Sequence, residues 1–309
     1  MYYTGFADEA AHGLTGQIAA TQQLGWTAIE SRKIDGINIH DLSDAAFDNV
    51  ERQLQAAGVT VSCFGSAIAN WGKSIEGPDT PSLEEAKRAI PRMRRLGTTF
   101  IRIMSYAVLP GRGPEQQLAE ERFRRLRDLT SLFLDNGLQP LHENCNNYGG
   151  MGWQYTLRML EAVPGLRLVF DTGNPVQDDD FSRPKTVQGR YPKQSSWEFY
   201  QQVRSHIDYV HIKDARFDPA SGSTTHTFPG EGAGEVRRIV ADLLANSYDG
   251  GFSIEPHLAV VHHDPGITAP EEIMRANYLE YGRRFMAMVT QLQSERAALR
   301  RGQGSSRSA

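Results

Sequence analysis

Short β-rich apolar runs alternate with amphipathic stretches along most of the chain, and glycine repeatedly marks the boundary between them. Leu24-Gly25-Trp26, Ala57-Gly58-Val59, Leu96-Gly97-Thr98 and Asn136-Gly137-Leu138 are four such junctions, with glycines 33, 39 and 40 residues apart. That spacing is the size of one βα unit, and glycine lets a helix end in the left-handed conformation. Strands are predicted at Tyr3–Phe6, Thr27–Ser31, Thr60–Gly65, Phe100–Ser105, Gln139–Asn144, Leu166–Asp171, Tyr209–Asp214 and Gly251–Glu255. Helices are predicted at Ala45–Ala56, Leu83–Leu96, Gln117–Asp135, Trp153–Ala162, Trp197–Arg204, Glu235–Asn246 and Glu271–Leu299. Eight strands alternating with helices predict an α/β protein, a single-domain closed (β/α)8 barrel over residues 1–300 with a C-terminal helix. An open doubly wound sheet is the second choice, but no dinucleotide fingerprint follows the first strand. Gly230-Glu231-Gly232 with Gly234 lacks the Lys-Ser/Thr of a phosphate loop and reads as a loop before a helix. The long segments Asn174–Ser196 and Ala215–Gly234 are expected to cover the barrel mouth, and residues 301–309, rich in Gly, Ser and Arg, to form a disordered tail.

Composition narrows the partners. Lys and Arg number 33 against 37 Asp and Glu in 309 residues, so a net charge of -4 supplies no polybasic field for a phosphate backbone, and nucleic acid is not expected as a partner. No apolar run approaches the ~18 residues of a membrane span, and Met1–Ala10 shows neither the basic patch nor the apolar stretch of a signal peptide, so a cytoplasmic protein is expected. Cys63 and Cys145 have no CxxC spacing and are read as reduced thiols.

Active sites of such barrels form at the C-terminal strand ends, where four consecutive strands carry metal-ligand side chains. These ends are Leu141-His142-Glu143-Asn144, Val169-Phe170-Asp171-Thr172, Val210-His211-Ile212-Lys213-Asp214 and Ser253-Ile254-Glu255-Pro256-His257. Strand alternation places Glu143, Asp171, His211, Lys213 and Glu255 toward the axis, with Phe170, Val210, Ile212 and Ile254 against the helices. Three carboxylates converging with one imidazole in a partly dry cleft are costly unless a cation joins them. Glu143, Asp171, His211 and Glu255 are therefore the candidate metal ligands, for Mn2+ first, with Mg2+, Co2+ and Zn2+ left open. Taken singly, Glu255 would more often pair with an arginine such as Arg102, and His211 would more often be a core histidine; the joint pattern favours the metal. Lys213 and His257 are candidate substrate contacts, as is His142, although alternation turns it away from the axis. Glu30 and Arg102 are expected to form a buried ion pair. Trp71, Tyr106, Tyr148 and Trp153 are candidates for an apolar pocket wall, with core or surface packing equally open. Asp178-Asp179-Asp180 reads as a solvated loop face, with a lid contact left open by its position close to Asp171.

These strand ends resemble the xylose-isomerase-like TIM barrels, which include ketose 3-epimerases, hydroxypyruvate isomerase and inosose dehydratase. The resemblance runs from Thr4-Gly5-Phe6 to Glu255-Pro256-His257, with its specific motifs on the last four strands. It implies Glu143, Asp171, His211 and Glu255 as metal ligands in that order, and Glu143 and Glu255 as the acid/base pair. Against the ketose 3-epimerases the sequence departs at Asn174, where they carry a histidine, at Gly149, where they carry a glutamate, and at Arg216, one position early for their arginine. Asn174 and Arg216 are the corresponding substrate-binding candidates. His142-Glu143-Asn144 with Asp171-Thr172-Gly173-Asn174-Pro175 is more similar to members whose relatives handle 3-keto sugars or keto-glycosides.

The expected activity is that of a metal-dependent sugar isomerase/epimerase acting on a keto sugar or keto-glycoside, with proton abstraction through an enediolate. A lyase or dehydratase shares the first step. A noncatalytic sugar-binding barrel is the alternative from another class, and an apurinic-site endonuclease is disfavoured by the charge and by too few ligand histidines. The expected partner is a small carbohydrate, and the helix from Glu271 either covers the barrel or joins a second copy of the chain.

Overall fold

The four junction glycines all take positive φ, from 64° at Gly58 to 72° at Gly25 and Gly137, so each turn uses the left-handed conformation that a side chain would strain. The computed structural model describes residues 1–259 and 269–305. Eight parallel strands follow the predicted order: β1 (Tyr2–Gly5), β2 (Ala28–Ser31), β3 (Thr60–Phe64), β4 (Phe100–Ile103), β5 (Gln139–Glu143), β6 (Arg167–Asp171), β7 (Ile207–Ile212) and β8 (Gly251–Ile254). From β2 to β8 each strand pairs with the next, β8 pairs with β1, and an isolated Phe6–Glu30 bridge brings the end of β1 to β2, giving a (β/α)8 barrel.

The principal helices are α1 (Leu14–Gln23), α2 (Asp44–Ala57), α3 (Thr80–Leu96), α4 (Ala119–Leu134), α5 (Trp153–Ala162), α6 (Ser196–Val203), α7 (Val236–Ala245) and α8 (Glu271–Ser305). Their apolar faces meet the outward strand residues, so Phe170, Val210, Ile212 and Ile254 belong to the main core. Inside the barrel a separate apolar layer of Cys63, Leu141, Val169 and Tyr209 lies along the strands below the polar ends. This is the alternation read from the sequence: Leu141 and Val169 point inward two positions before Glu143 and Asp171.

The long C-terminal helix covers the barrel. Tyr278, Tyr281, Phe285 and Val289 are buried, and Tyr3 meets Phe285 edge to face. Residues 301–305 continue α8 beyond the point where a tail was expected, because a helix once begun adds one hydrogen bond for each residue fixed; residues 306–309 lie outside the described residues. Two antiparallel hairpins, Lys33–Ile34 with Ile37–Asn38 and Asp214–Asp218 with Ser223–Thr227, decorate the mouth. Among the described residues no helix is long and apolar enough to cross a membrane.

Candidate metal centre

The last residue of β5, the last of β6, the penultimate of β7 and the residue after β8 converge. Glu143, Asp171, His211 and Glu255 are all buried, and one ligand atom from each lies within 4.8 Å of the others. His211 Nδ1 faces the centre, 3.2 Å from Glu143 Oε1, 3.8 Å from Glu255 Oε2 and 4.0 Å from Asp171 Oδ2.

Each group is fixed from behind. The backbone N–H groups of Gly173 and Asn174 donate to Asp171 Oδ1 at 2.8 and 2.7 Å, which leaves Oδ2 turned to the centre. Asn144 ties β5 to β6 by donating to the Asp171 carbonyl at 2.9 Å and accepting from the Asp171 N–H at 2.7 Å. Arg102 donates to Glu143 Oε2 at 3.0 Å and to the carbonyls of Gly65 and Ser66. Glu255 receives Arg32 on Oε1 at 3.2 Å and Lys213 on Oε2 at 3.0 Å. Lys213 Nζ also stands 2.9 Å from Asp171 Oδ2. The Phe6 ring lies below the arginines, with the Arg32 and Arg102 guanidinium carbons 4.2 and 5.1 Å from its centroid.

Glu30 corrects the sequence reading. It does not pair with Arg102 but sits 3.0 Å from His211 Nε2 and accepts from the Ser253 hydroxyl at 2.6 Å. A carboxylate behind the imidazole fixes the ring so that the other nitrogen serves the centre. The clue was available, since a buried strand reading Ala28-Ile29-Glu30-Ser31 carries a charge with no local partner.

The electrostatics follow from burial among like charges. Burial pushes Asp171 up to about 7, with Glu255 and Glu143 adding to the rise and Lys213 opposing it. Burial acts the same way on Glu143, but Arg102 and His211 outweigh it and bring that carboxyl down to about 2. Glu255 is likewise held well below the ordinary range, burial being overcome by Lys213 and the two histidines. His211 rises to about 10, because Glu30 and Glu143 overcome the effect of burial. Among the described residues, Asp8, Glu9, Glu30, Glu143, Asp171 and Glu255 cluster against Arg32, Arg102 and Lys213 as the permanent cations in direct contact. Such an excess of buried negative charge is what a divalent cation or added protons relieve. The donor set of one imidazole nitrogen and three carboxylates, with Asp171 Oδ2 turned to the centre beside the Lys213 ammonium, fits a divalent metal.

A cleft of about 670 Å3 opens above this centre. Among the sequence-predicted contacts, Asn174, Lys213 and His257 line it. Asn174 Nδ2 lies 3.4 Å from Glu143 Oε1, while His257 Nε2 lies 3.4 Å from Glu255 Oε1 and 3.5 Å from Glu9 Oε1. His142 and Arg216 are not brought to the cleft. His142 follows the strand alternation outward and is buried against Ser105 and Asn147, and the Arg216 guanidinium is spent on the carbonyl of Glu231. Trp71 lines the mouth, whereas Tyr106, Tyr148 and Trp153 pack into the core. Asp178 is part of the cleft wall rather than a solvated face. The N–H groups of the glycine-rich loop are taken up within the chain: those of Gly230, Gly232 and Gly234 donate to the Asp214 carboxylate at 2.8, 3.0 and 2.8 Å.

The model of the family described as xylose isomerase-like TIM barrel matches residues 18–278. No curated protein matches in sequence. Similar solved structures include a xylose isomerase-like TIM barrel protein of Mycobacterium smegmatis in complex with magnesium (TM-score 0.66, 18% identity, 93% of this chain and 97% of that one). The probable 3-DHS dehydratase AsbF of Bacillus anthracis is also similar (TM-score 0.64, 17% identity, 90% and 97% covered), as is an L-ribulose 3-epimerase (TM-score 0.65, 15% identity, 96% of each chain).

Proposed function

Because the chain belongs to the xylose isomerase-like TIM barrel family, we propose that it is a divalent-metal-dependent isomerase or epimerase of a keto sugar or keto-glycoside, with Glu143 and Glu255 moving the proton. The observation that carries this reading is the convergence of four ligand atoms within 4.8 Å at the floor of an open cleft. Glu143, Asp171, His211 and Glu255 would hold the cation, and the magnesium in the M. smegmatis relative supports a hard ion there. When bound, the ion supplies Lewis-acid polarisation of a carbonyl and its neighbouring hydroxyl.

The chain's own groups account for the rest. Glu143 and Glu255 are ionised and therefore ready to accept a proton from the carbon beside the carbonyl. They project from β5 and from the end of β8, so they reach a substrate lying between them from different sides; removal by one and return by the other inverts a carbon centre. Lys213, whose ammonium is strongly held by Asp171 and Glu255, places a positive charge where negative charge develops on oxygen. Asn174, beside Glu143 in the cleft wall, offers an amide to a hydroxyl. Return of the proton to the adjacent carbon gives an isomerase, and expulsion of a β-oxygen gives the lyase outcome to which the dehydratase neighbour points.

The test is proton exchange. Protein loaded with Mn2+ or Mg2+ is incubated in deuterated water with free ketoses, 3-keto glycosides and hydroxypyruvate, and mass spectrometry reads deuterium uptake. Uptake by one class, lost in Glu255→Gln and Glu143→Gln while the metal stays bound, is the expected result. No uptake by any class at saturating metal would leave a noncatalytic sugar-binding barrel.

A further inference from the structure

The metal centre shares one of its carboxylates with a second group. Glu9, Glu255 and His257 are all buried and also bring ligand atoms within 4.8 Å of one another. Glu9 belongs to the turn after β1, while Glu255 and His257 follow β8, so the pairing of β8 with β1 sets them side by side. His257 Nε2 stands 3.5 Å from Glu9 Oε1 and 3.4 Å from Glu255 Oε1, and the His257 backbone N–H donates to Glu9 Oε2 at 2.8 Å. Glu255 therefore turns Oε2 toward His211 and the first group, and Oε1 toward the second. A carboxylate set between two ligand groups is how paired-ion sites hold two cations about 3.5–4 Å apart.

The second group already has a cation. Arg32 Nη1 lies 3.2 Å from Glu255 Oε1 and Nη2 3.3 Å from Glu9 Oε1, so the guanidinium rests on the two carboxylate oxygens that a second ion would need. It is firmly held. Its Nε and Nη2 donate to the two oxygens of Asp8 at 2.9 and 3.1 Å, and it lies over the Phe6 ring. Gly65 makes room for that stack, since a Cβ there would come within 2.3 Å of the Phe6 ring and 3.2 Å of Arg32 Cβ. A guanidinium keeps its charge at every working pH and has only donors to offer, so it neutralises these carboxylates without presenting a coordination position.

We propose that Arg32 stands in for a second divalent ion: Glu9, Glu255 and His257 form a latent metal site that the guanidinium fills, which keeps the centre mononuclear. The inference rests on the metal reading of Glu143, Asp171, His211 and Glu255 and limits it to one exchangeable ion. Arg32 is then a positioning residue, whose contact with Oε1 holds Glu255 with Oε2 toward the first group. One ion suits polarisation of a carbonyl and its neighbouring hydroxyl, whereas a second at this spacing would suit in-line displacement at a phosphate. Taking the guanidinium away would leave the buried carboxylates of Asp8, Glu9 and Glu255 short of one positive charge, a cost that a bound ion offsets.

The probe is Mn2+ alone. Metal-free protein is dialysed against saturating Mn2+, elemental analysis counts the bound ion, and electron paramagnetic resonance reads whether bound ions are magnetically coupled, as they are across a shared carboxylate and not at a distant surface site. The unaltered protein should hold one uncoupled equivalent. Arg32→Met should hold two, coupled, and Arg32→Lys, which keeps a cation, should hold one. Two coupled equivalents in the unaltered protein overturn the proposal, a result that needs no variant to fold. One equivalent in an Arg32→Met protein whose circular dichroism matches the original overturns it as well and leaves the first centre standing; should that variant not fold, Arg32→Gln, which keeps a donor for Asp8, is read by the same criterion. No ion in the unaltered protein but one in Arg32→Met removes the first centre and supports the role of Arg32, and no ion in either removes both.

Discussion

Glu30 and His211, 181 residues apart in sequence, meet across the barrel at 3.0 Å, and that contact sets which imidazole nitrogen faces the carboxylates. Partners of this kind orient a ligating histidine and raise its basicity. Glu30→Gln should therefore weaken Mn2+ or Mg2+ binding about 10- to 100-fold while leaving Glu143, Asp171 and Glu255 in place. Calorimetric titration checks this, with circular dichroism to confirm the fold; an unchanged Kd in a folded variant would show that Glu30 plays no positioning part.

Metal affinity should rise with pH. Without metal, His211 holds its proton up to about 10 and Asp171 up to about 7, and both must be deprotonated to act as ligands. Between pH 7 and 9 one proton is displaced, so the association constant should climb about tenfold per pH unit; below 7 the second proton steepens the dependence toward about a hundredfold per unit. Titrations in buffers of different ionisation enthalpy count the protons released, and a pH-independent Kd from 6 to 9 would contradict this charge distribution.

His142 gives a separate pH signature, in stability. Burial brings its pKa from 6.5 down to about 4, although the Asn147 hydrogen bond and Glu143 act in the opposite direction. The folded state prefers the neutral ring, so this contribution is fully present above pH 6.5 and is lost as pH falls from 6.5 toward 4. Urea denaturation across that window should show stability falling with acid, and His142→Gln should reduce the slope by up to about one proton. An identical slope in the variant would assign the acid sensitivity to other groups.

Asp214 holds the loop that follows the second hairpin. Its carboxylate accepts from Ala215, Gly230, Gly232 and Gly234, and a Cβ at Gly232 would collide with it. Asp214→Ala leaves these N–H groups without their acceptor and should cost about 3 kcal/mol, at about 1–3 kcal/mol for each stranded buried donor with water recovering part of the loss. Asp214→Asn should fall between the two. Denaturant midpoints at constant m-value measure this, and a loss under about 0.5 kcal/mol, the range of ordinary surface substitutions, would mean the loop is held by other contacts.

The sequence by itself determined the barrel. Glycine at helix ends, the period of two in the strands and the βα spacing are local properties, so the eight strands fall within two residues of their predicted positions, and the inward parity of Glu143, Asp171, His211 and Glu255 follows from strand alternation. Only the tertiary structure decided the partners of those groups. Alternation gives the side of the sheet a residue faces, but the closure of β1 onto β2 and β8 selects which distant charges meet. Thus Glu30 found His211, Arg102 found Glu143, and Lys213 settled between Asp171 and Glu255. The same limit explains Asp178, whose run of three acidic residues is uniform in sequence and is divided by the fold into two paired carboxylates and one on the cleft wall with no ion-pair partner among the described residues. Burial energies and ion pairs act through space, and the chain brings those charges together only when the ring of strands closes.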